Sequence, residues 1–224
     1  MKTITLTRKQ LEQIAGSLSD QYDVSVSWHK IDLSVAGSAH RLYEKTLHEN
    51  IAILVNNAGA GYVADFFDGD IERNKSIAQL NMISLMELCH YFGKDFREKN
   101  EGKILNVASV VSFLPGPAQP VYYASKAFVR SLSRTLAFNL RNTNVTVTAL
   151  HPGVTKTAFF TQANTSERTK GASAKSVAEL GYKAMMAGKI EVTHGLRNKI
   201  LTNVFVRITP YRLHAPTVYK ASDV

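Results

Sequence analysis

The segment IAILVNNAG (51–59) decides the fold class of this chain of 224 residues. It is a short, nearly continuous apolar run that ends in Asn-Asn-Ala-Gly, a pattern typical of a strand buried on both faces of a parallel sheet. On either side of it, strand patterns alternate with helix patterns. Strands are predicted near 4–7, 24–34, 104–109 and 144–153, and helices after the first strand and near 36–49, 70–98, 121–141 and 176–188. This alternation predicts a doubly wound α/β parallel sheet in one domain spanning 1–224.

The composition is that of a globular protein. Hydrophobic residues make up 45% of the sequence and charged residues 20%. No apolar stretch approaches the roughly 18 to 20 residues that span a bilayer, and the N-terminus lacks the pattern of a secretory signal. The single cysteine, Cys89, excludes an intramolecular disulfide and a cysteine-based zinc site. We therefore expect a soluble, cytoplasmic protein without a metal site.

The formal net charge of +9 raises the question of nucleic-acid binding. The basic residues are spread along the chain without forming a run, and no recognised nucleic-acid motif is present. Because electrostatic binding to a nucleic acid needs a clustered basic footprint, we expect no nucleic-acid partner. A basic enzyme that binds an anionic cofactor accounts for the charge equally well.

Polar or glycine-rich residues follow each predicted strand. They are Arg8, Asp32, the NNAG of 56–59, Ser109 and the segment HPGVTKT (151–157). Ligands of open α/β sheets bind at the carboxyl ends of the strands, so we expect these residues to share one rim of the sheet. Chance can place a polar residue after any single strand, and only their joint chemistry indicates a site.

The segment YYASKAF (122–128) carries the strongest local signal. Tyr122 and Lys126 are four residues apart and therefore share one face of a helix. A lysine ammonium beside a phenol lowers the pKa of the phenol from about 10, which predicts a general acid or base. Tyr123 can also reach Lys126, so spacing alone does not choose between the two tyrosines. An ordinary surface pair of tyrosine and lysine is the common alternative.

Two further polar residues are candidates for the same site. Ser109 closes a strand in NVASVVS (106–112), where its hydroxyl can donate a hydrogen bond to a substrate carbonyl oxygen. A cap or turn role is the alternative for this serine. Asn81 lies among apolar neighbours in the middle of a predicted helix, where asparagine is unfavourable. Either a catalytic role or a satisfied polar contact at the helix–sheet interface would compensate for that cost.

Four segments, in this order and spacing, resemble the short-chain dehydrogenase/reductase family: ILVNNAG (53–59), ILNVAS (104–109), YYASK (122–126) and HPGVTKT (151–157). The resemblance covers about residues 2–190 and implies a Rossmann fold, a nicotinamide cofactor and hydride transfer to or from a substrate carbonyl carbon. It selects Tyr122 over Tyr123 as the residue that exchanges the proton. It also implies that Lys126 holds the cofactor ribose, that Ser109 polarises the carbonyl and that Asn81 holds a water of the proton relay.

The same resemblance assigns further contacts to the cofactor. Asp32 matches the acidic residue that meets the adenine ring. Asn57 and Gly59 let the backbone approach the cofactor closely. Thr155, together with Thr157, matches the segment around the nicotinamide. Tyr122 and Lys126, which the resemblance also makes catalytic, complete these contacts.

Arg8 decides which cofactor the resemblance implies. It occupies the end of the family's second strand, where an acidic residue binds the ribose 2′-hydroxyl of NAD and an arginine accommodates the 2′-phosphate of NADP. No acidic residue precedes Glu12, so NADP is expected rather than NAD. A surface arginine that opens a helix is the alternative.

The start of the sequence lacks a feature of the family. Family members have a first strand and a glycine-rich turn that directs backbone amides at the pyrophosphate, whereas Gly16 is the first glycine here. We expect an N-terminally truncated fold whose first βα unit is missing, as a fragment, a mis-started product or a natural loss of tight cofactor binding. Because that first strand is central to the family's sheet, we expect lower stability or compensation by assembly into a homo-oligomer.

Residues 158–224 are expected to form a substrate lid and an amphipathic segment, since the resemblance weakens there. Within 196–213, one helical stripe holds Ile200, Leu201, Val204, Phe205 and Ile208 and is edged by basic residues. Such a helix can lie on an anionic membrane surface, although a lid or a subunit contact is the commoner role. Membrane contact would suit a hydrophobic substrate such as a fatty acyl chain, a steroid or a long-chain ketone.

Two functions remain open at this point. The first is an NADP-dependent oxidoreductase that acts on a small-molecule carbonyl or alcohol. The second is a cofactor-impaired protein of the same fold that acts by binding or oligomerisation. The complete set of Ser109, Tyr122 and Lys126 favours the first function, and the absent glycine-rich turn favours the second.

Overall fold

The computed structural model describes residues 6–159, 163 and 171–208. Its centre is a four-stranded parallel sheet made of β1 (Ile53–Asn56), β2 (Gly102–Val107), β3 (Val145–His151) and β6 (Glu191–Thr193). These strands lie side by side in the order β1-β2-β3-β6. A second, two-stranded parallel sheet contains β4 (Thr155–Lys156) and β5 (Ala172–Ser173).

Helices connect these strands, as the alternating pattern predicts. They include α1 (Arg8–Tyr22), α2 (Ser38–Lys45), α3 (Ile71–Ala78), α4 (Leu85–Lys99), α5 (Pro120–Asn139), α6 (Ala174–Met186), α7 (Leu196–Ile200) and α8 (Val206–Ile208). Two π-helical segments, Gln79–Ser84 and Leu201–Phe205, join α3 to α4 and α7 to α8, and a 3₁₀ helix spans Val110–Phe113. The predicted helices near 70–98, 121–141 and 176–188 are confirmed, and the one near 36–49 is shorter than predicted.

Helices cover both faces of the central sheet. On one face, α2, α4 and α5 pack around a core that contains Phe96, Ile104 and Val129. On the other face, α6 packs against β2 and β3, where Leu105 and Met185 are buried. Because consecutive residues of a strand point to opposite faces, Ile104 and Leu105 belong to different cores. The prediction of a Rossmann-like α/β parallel sheet is confirmed.

Two strands predicted near the N-terminus are not strands in the structure. Most of the first lies outside the described residues, and its described part, Leu6 and Thr7, has no strand structure. Thr7 instead caps α1 through a capping box with Gln10. The strand predicted over 24–34 is wrong, because these residues pair with no strand that the structure describes, and Val24 is half-exposed. Alternating residues form a strand only where another strand offers a pairing edge.

β1 is more exposed than its apolar sequence predicts. It pairs with β2 on one side, and its other edge has no strand partner among the described residues. Ile53 is 40% exposed and Val55 is 51% exposed, so the predicted burial on both faces is wrong for these side chains. Val55 pairs with Leu105 and shares its face of the sheet, which α6 covers mainly over the other strands.

The long helix predicted near 70–98 contains an irregularity that bears on the site. Asp70 caps its start by accepting hydrogen bonds from the backbone N–H groups of Glu72 and Arg73 at 2.9 Å and 3.3 Å. The π-helical segment Gln79–Ser84 then interrupts the α-helical pattern. Such segments widen one helical turn and frequently occur at functional sites. This one places Asn81 against the end of the sheet.

Candidate active site

Ser109 lies where β2 ends and the 3₁₀ helix begins. Its hydroxyl caps that helix by accepting a hydrogen bond from the backbone N–H of Val111 at 3.3 Å. It also donates to the carbonyl oxygen of Pro152 at 3.4 Å, which ties the end of β2 to the turn after β3. The cap role considered for this serine is therefore present, and the buried side chain still lies at the carboxyl end of the sheet.

Tyr122 and Lys126 lie on the same face of α5, as their spacing predicts. The Lys126 Nζ atom lies 5.9 Å from the centre of the Tyr122 ring and donates a hydrogen bond to the carbonyl oxygen of Val107 at 2.7 Å. Lys126 is therefore held against the end of β2, close to Ser109. Burial lowers the pKa of the Lys126 ammonium to about 8, because a charged form is disfavoured away from water.

The pKa of Tyr122 does not follow the sequence prediction. Burial raises the pKa of the Tyr122 hydroxyl above its usual value, and the nearby charge of Tyr123 acts in the same direction. A hydrogen bond with the Ser109 side chain lowers this pKa but does not reverse the shift. The predicted lowering by Lys126 is therefore wrong for this structure, since burial of the phenol has the larger effect.

The second tyrosine of the motif has a different environment. A Cβ atom on Gly116 would lie 2.3 Å from the Tyr123 ring, so the ring packs directly on the backbone of that glycine. The Tyr122 ring instead lies 5.2 Å from the ring of Phe159. Together with the hydrogen bond between Tyr122 and Ser109, these contacts place Tyr122, rather than Tyr123, in the group of candidate residues.

Asn81 is buried in the π-helical segment, and hydrogen bonds satisfy its side chain. Its Oδ1 accepts from the backbone N–H of Ala60 at 3.0 Å. Its Nδ2 donates to the carbonyl oxygen of Ala60 at 2.9 Å and to the Ser125 hydroxyl at 3.0 Å. Ser125 in turn donates to the carbonyl oxygen of Tyr122 at 2.7 Å. These hydrogen bonds compensate for the unfavourable position of Asn81 inside a helix and connect its side chain to α5.

Gly59 brings its backbone close to this group. A Cβ atom built on it would lie 3.3 Å from both Asn81 Oδ1 and Lys126 Nζ, which is closer than most real Cβ contacts. Any side chain at Gly59 would therefore crowd the asparagine and the lysine. The structure thus brings together Gly59, Asn81, Ser109, Tyr122 and Lys126 at the rim of the sheet.

Three further rim residues make local hydrogen bonds, and Thr155 also lies in β4, which pairs with β5. Asn57 is exposed and donates its backbone N–H to the carbonyl oxygen of Val55 at 3.2 Å. The Thr155 hydroxyl donates to the carbonyl oxygen of Gly153 at 3.0 Å. The exposed Thr157 accepts a hydrogen bond from the backbone N–H of Phe159 at 3.4 Å. Their predicted contacts with a cofactor stay predictions.

Arg8 and Asp32 do not join the central group. Arg8 is the first residue of α1 rather than the end of a strand, and its Nε lies 2.9 Å from the Glu12 carboxylate. Asp32 accepts hydrogen bonds from the backbone N–H and the hydroxyl of Ser34 at 2.9 Å and 2.7 Å. The adjacent Leu33 is tied to the π-helical segment, because its carbonyl oxygen accepts from the Ser84 hydroxyl at 2.7 Å.

Sequence reasoning missed two parts of the site. Ser125 lies inside the YYASK motif, so a check of the side chain three residues after Tyr122 would have found it. Glu191 is the second omission, and it lies 3.2 Å from the His151 ring although 40 residues separate them. No local pattern marks a pair that only the sheet brings together.

Other candidate chemistries have little support in the described part of the chain. It contains no group of three or more histidine, cysteine, aspartate and glutamate side chains arranged to hold a metal ion. Cys89 is buried, and burial raises the pKa of its thiol to about 11, so it is a poor nucleophile. Every helix in the described ranges is too short or too polar to cross a lipid bilayer.

Comparison with curated proteins relates the chain to reductases and dehydrogenases. The very-long-chain 3-oxoacyl-CoA reductase of Laccaria bicolor is 30% identical over 145 residues, which are 63% of this chain and 43% of that protein. The 17-beta-hydroxysteroid dehydrogenase type 3 of Homo sapiens is 29% identical over 171 residues, which are 75% of this chain and 55% of that protein. The chain therefore spans about half the length of the curated relatives that it matches.

Comparison with solved structures and family models agrees with the observed fold. A short-chain dehydrogenase from Sphingobium yanoikuyae, solved in complex with NADPH, has a TM-score of 0.82 at 24% identity, over 88% of this chain and 79% of that one. The family model described as short chain dehydrogenase matches residues 2–168. With that match across most of its length, the chain belongs to the short-chain dehydrogenase family.

Proposed function

We propose that the chain is an oxidoreductase that transfers hydride between a nicotinamide cofactor and a carbonyl or alcohol group of a small hydrophobic substrate. The observation that carries the proposal is the meeting of Asn81, Ser109, Tyr122 and Lys126 at one rim, from three separate elements. A hydroxyl, a phenol and an ammonium around one opening can bind a carbonyl oxygen and transfer a proton to it.

Each residue takes a role that its position allows. Ser109 donates a hydrogen bond to the substrate carbonyl oxygen, and Tyr122 gives that oxygen a proton. Lys126 and the backbone at Gly59 would hold the cofactor ribose, and the absence of a side chain at Gly59 keeps Lys126 Nζ uncrowded for this contact. When bound, the cofactor supplies or accepts the hydride at the substrate carbon. Asn81 keeps Ala60 and Ser125 in place around this opening.

The protonation of the two central groups favours reduction as the starting direction. Because burial raises the pKa of Tyr122, its phenol is protonated at neutral pH and can act as the acid. Lys126, with a pKa of about 8, is mostly charged at pH 7. A protonated acid beside a cation suits a carbonyl oxygen that gains negative charge as hydride arrives.

The test of this function is NADPH oxidation by the purified chain with a ketosteroid, a 3-oxoacyl thioester and a bulky aromatic ketone. We expect turnover with at least one of them and a fall in kcat of about 10²- to 10⁴-fold in Tyr122→Phe. Tyr123→Phe is the matched control, since its ring packs on Gly116, and it should retain most activity. No turnover with any substrate, or equal losses in both variants, would contradict the proposal.

NADP is the cofactor that we propose, and Arg8 is the residue that supports it. An arginine near the adenosine ribose can hold a 2′-phosphate, which NAD lacks. Fluorescence titration should therefore give a lower Kd for NADPH than for NADH. Binding of NADH that is equal to or tighter than that of NADPH would reject this preference without affecting the proposed reaction.

A cofactor-impaired protein that acts by self-association is the second candidate. It is favoured by the edge of β1, which has no strand partner among the described residues and where Val55 is 51% exposed, and by the engagement of Arg8 with Glu12 and of Asp32 with Ser34. An exposed strand edge is a template for pairing with another chain. Sedimentation of the apo chain as a homo-oligomer, together with no detectable NADPH binding, would select this function over the first.

A hydrophobic substrate and contact with a membrane are part of the proposal. Leu196, Ile200, Val204 and Ile208 recur at intervals of four residues and are 74%, 54%, 50% and 73% exposed. A cavity of about 350 Å³ between α6 and α7 is lined partly by Lys183 and Lys199, which suits an anionic headgroup. Residues 209–213 of the predicted amphipathic segment lie outside the described residues. Flotation with anionic vesicles at low salt, and its loss in Ile200→Asp, test this contact.

Two expectations about partners and location stay predictions. The described basic residues do not gather into a nucleic-acid motif, and the oxidoreductase proposal needs no nucleic-acid partner. A cytoplasmic location agrees with the single, buried Cys89, since a reducing compartment keeps a free thiol reduced. Fractionation of cells that express the full chain would test the location and the membrane contact together.

A further inference from the structure

One carboxylate lies between the elements that carry Ser109 and Tyr122. Glu191, at the start of β6, contacts His151 from β3 and two arginines from α5. Its Oε1 lies 2.8 Å from Arg130 Nε, and its Oε2 lies 3.2 Å from Arg134 Nη1. We call Glu191, His151, Arg130, Arg134 and the adjoining Phe113 the Glu191 cluster. None of its members belongs to the reacting group described above.

His151 connects the cluster to Ser109. It is fully buried, with Nδ1 3.2 Å from the carbonyl oxygen of Ser109 and Nε2 3.2 Å from Glu191 Oε1. A carbonyl oxygen and a carboxylate only accept hydrogen bonds, so a ring N–H of His151 donates to one or both of them. The His151 ring therefore lies between the backbone of Ser109 and the carboxylate of Glu191.

The two arginines connect the cluster to Tyr122. Tyr122, Lys126, Arg130 and Arg134 recur every four residues on α5, so each lies beside the next along the helix. Glu191 binds the two arginines that follow the catalytic pair along the helix. A carboxylate at this point fixes the position of α5 along the edge of β3.

Phe113 fills the space between the two arms of the cluster. The Arg130 guanidinium lies 4.0 Å from the centre of its ring, and the His151 ring lies 5.0 Å from it at an interplanar angle of 65°. Phe113 ends the 3₁₀ helix that Ser109 caps. The 3₁₀ turn that begins at Ser109 is therefore held at both ends. The carbonyl oxygen of Ser109 contacts His151, and the Phe113 ring contacts His151 and Arg130 of α5.

The charges of the cluster are consistent with this arrangement. Burial alone would raise the pKa of Glu191, but hydrogen bonds from His151 and Arg130, and their positive charges, lower it to about 2. The carboxylate is thus ionised at any pH at which the protein works. A partly buried carboxylate with several cationic donors holds them in one geometry.

We propose that Glu191 is a positioning residue that sets the distance between Ser109 and Tyr122 by holding His151 on one side and Arg130 and Arg134 on the other. This inference rests on the proposed reaction, in which the serine and the tyrosine bind the same substrate oxygen. Misplacement of a reacting group by about 1 Å can lower a rate by about 10²-fold. The spacing of the two hydroxyl groups therefore matters more than either group's local surroundings.

The test compares Glu191→Gln with Glu101→Gln, which makes the same change at an exposed residue just before β2. With the ketone that gives the highest turnover, kcat of Glu191→Gln should fall at least about tenfold, while KM and the Kd for NADPH change less than about twofold. Glu101→Gln should match the wild type. A purely structural role would instead lower the fraction of folded protein and leave kcat per folded molecule unchanged, which would overturn the proposal.

A crystal structure of each variant tests the positioning without any turnover. In Glu191→Gln, we expect the distance between Ser109 Oγ and Tyr122 Oη to change by about 1 Å, with no change in Glu101→Gln. If the wild type reduces no ketone, the proposed reaction fails, and this distance still decides the positioning role. Should Glu191→Gln not fold, Glu191→Asp keeps the charge but is too short to reach His151 and both arginines, and should show the same displacement. An unchanged distance in a folded variant overturns the proposal.

Discussion

The rim that holds Asn81, Ser109 and Lys126 and the N-terminal region over 6–34 differ in what holds their side chains. At the rim, Asn81, Ser109 and Lys126 are 1%, 8% and 5% exposed, and each bonds to a different element of the fold. In the N-terminal region, Leu18 is 39% exposed and Tyr22 is 62% exposed. Long-range contacts therefore fix the rim, whereas neighbours in the sequence fix much of the N-terminal region.

The two sets of predicted cofactor residues differ in the same way, because one set lies at the rim and the other in the N-terminal region. The rim residues would hold the nicotinamide end, and their positions follow from the pairing of β1, β2 and β3. Arg8 and Asp32 would hold the adenosine end, and their ion pair and hydrogen bonds are with Glu12 and Ser34, four and two residues away. Arg8 also lies 5.7 Å from the centre of the Trp28 ring. An exposed ion pair such as that of Arg8 and Glu12 contributes about 0.5 kcal/mol, so a bound cofactor can replace it at little cost.

The largest difference should appear when an aromatic side chain is removed from the core that supports the rim and another from the N-terminal region. Phe96 is fully buried, and a Cβ on Gly102 would overlap its ring. We expect Phe96→Ala to lower the free energy of unfolding by about 3–5 kcal/mol, because it leaves a cavity in the core. Tyr22→Ala, at a 62% exposed position, should change it by no more than about 0.5 kcal/mol.

Urea unfolding, followed by circular dichroism, measures both free energies. An equal loss of unfolding free energy in Tyr22→Ala and Phe96→Ala would contradict this difference, because the N-terminal region would then be packed as firmly as the core. A loss in Phe96→Ala that is confined to the m-value would indicate a change in the unfolded state rather than in packing.

A smaller effect should come from the pH dependence of stability at the rim. Burial lowers the pKa of Lys126 from its ordinary 10.5 to about 8 in the folded chain. Below pH 8, Lys126 is protonated in both the folded and the unfolded state, so the folded state bears the full free-energy cost of burying the ammonium. Between pH 8 and pH 10 the folded state releases the proton while the unfolded state keeps it, so stability rises with pH. At about 1.4 kcal/mol per pKa unit, the gain is about 2 kcal/mol.

Lys126→Met isolates this contribution. Methionine fills a similar volume without a charge. The unfolding free energy of the wild type minus that of the variant should therefore rise by about 2 kcal/mol from pH 8 to pH 10. Ionisation of other groups affects both proteins and cancels in the difference. A difference that stays constant over this range would show that the Lys126 ammonium is not desolvated by burial.

The sequence predicts the rim better than it predicts the N-terminal region, and the reason is physical. The apolar patterns of β2, β3 and α5 are local, so the sequence alone predicts these elements. Because Ser109 follows β2 and Tyr122 lies near the start of the next α-helix, the order of the elements places both at the carboxyl end of the sheet. The strand predicted over 24–34 has the right alternation but lacks a pairing edge in the described structure. An alternating pattern states which face a residue would occupy and does not supply the neighbouring strand.

Two details of the site depend on tertiary structure in the same way. The direction of the Tyr122 pKa shift depends on burial, which spacing to Lys126 does not reveal. The contact of Glu191 with His151 joins two strands far apart in the sequence. Both follow from packing, so neither leaves a motif in the chain.

The smallest effect on stability should come from Arg8, and it is the sharpest test of the comparison. Its ion pair with Glu12 has side chains that are 77% and 49% exposed, so loss of the pair in Arg8→Gln should cost less than about 0.5 kcal/mol. Glu12→Gln removes the same pair and is the matched control.

The two variants should differ in cofactor affinity although they agree in stability. If Arg8 meets the 2′-phosphate, its replacement removes a charge-assisted hydrogen bond and should raise the Kd for NADPH about tenfold, with the Kd for NADH unchanged. Glu12→Gln should leave both constants unchanged or tighten NADPH slightly, because it frees the guanidinium. Equal Kd values for NADPH in Arg8→Gln and the wild type would show that the N-terminal helix takes no part in choosing the cofactor. The specificity of the chain would then lie entirely at the rim.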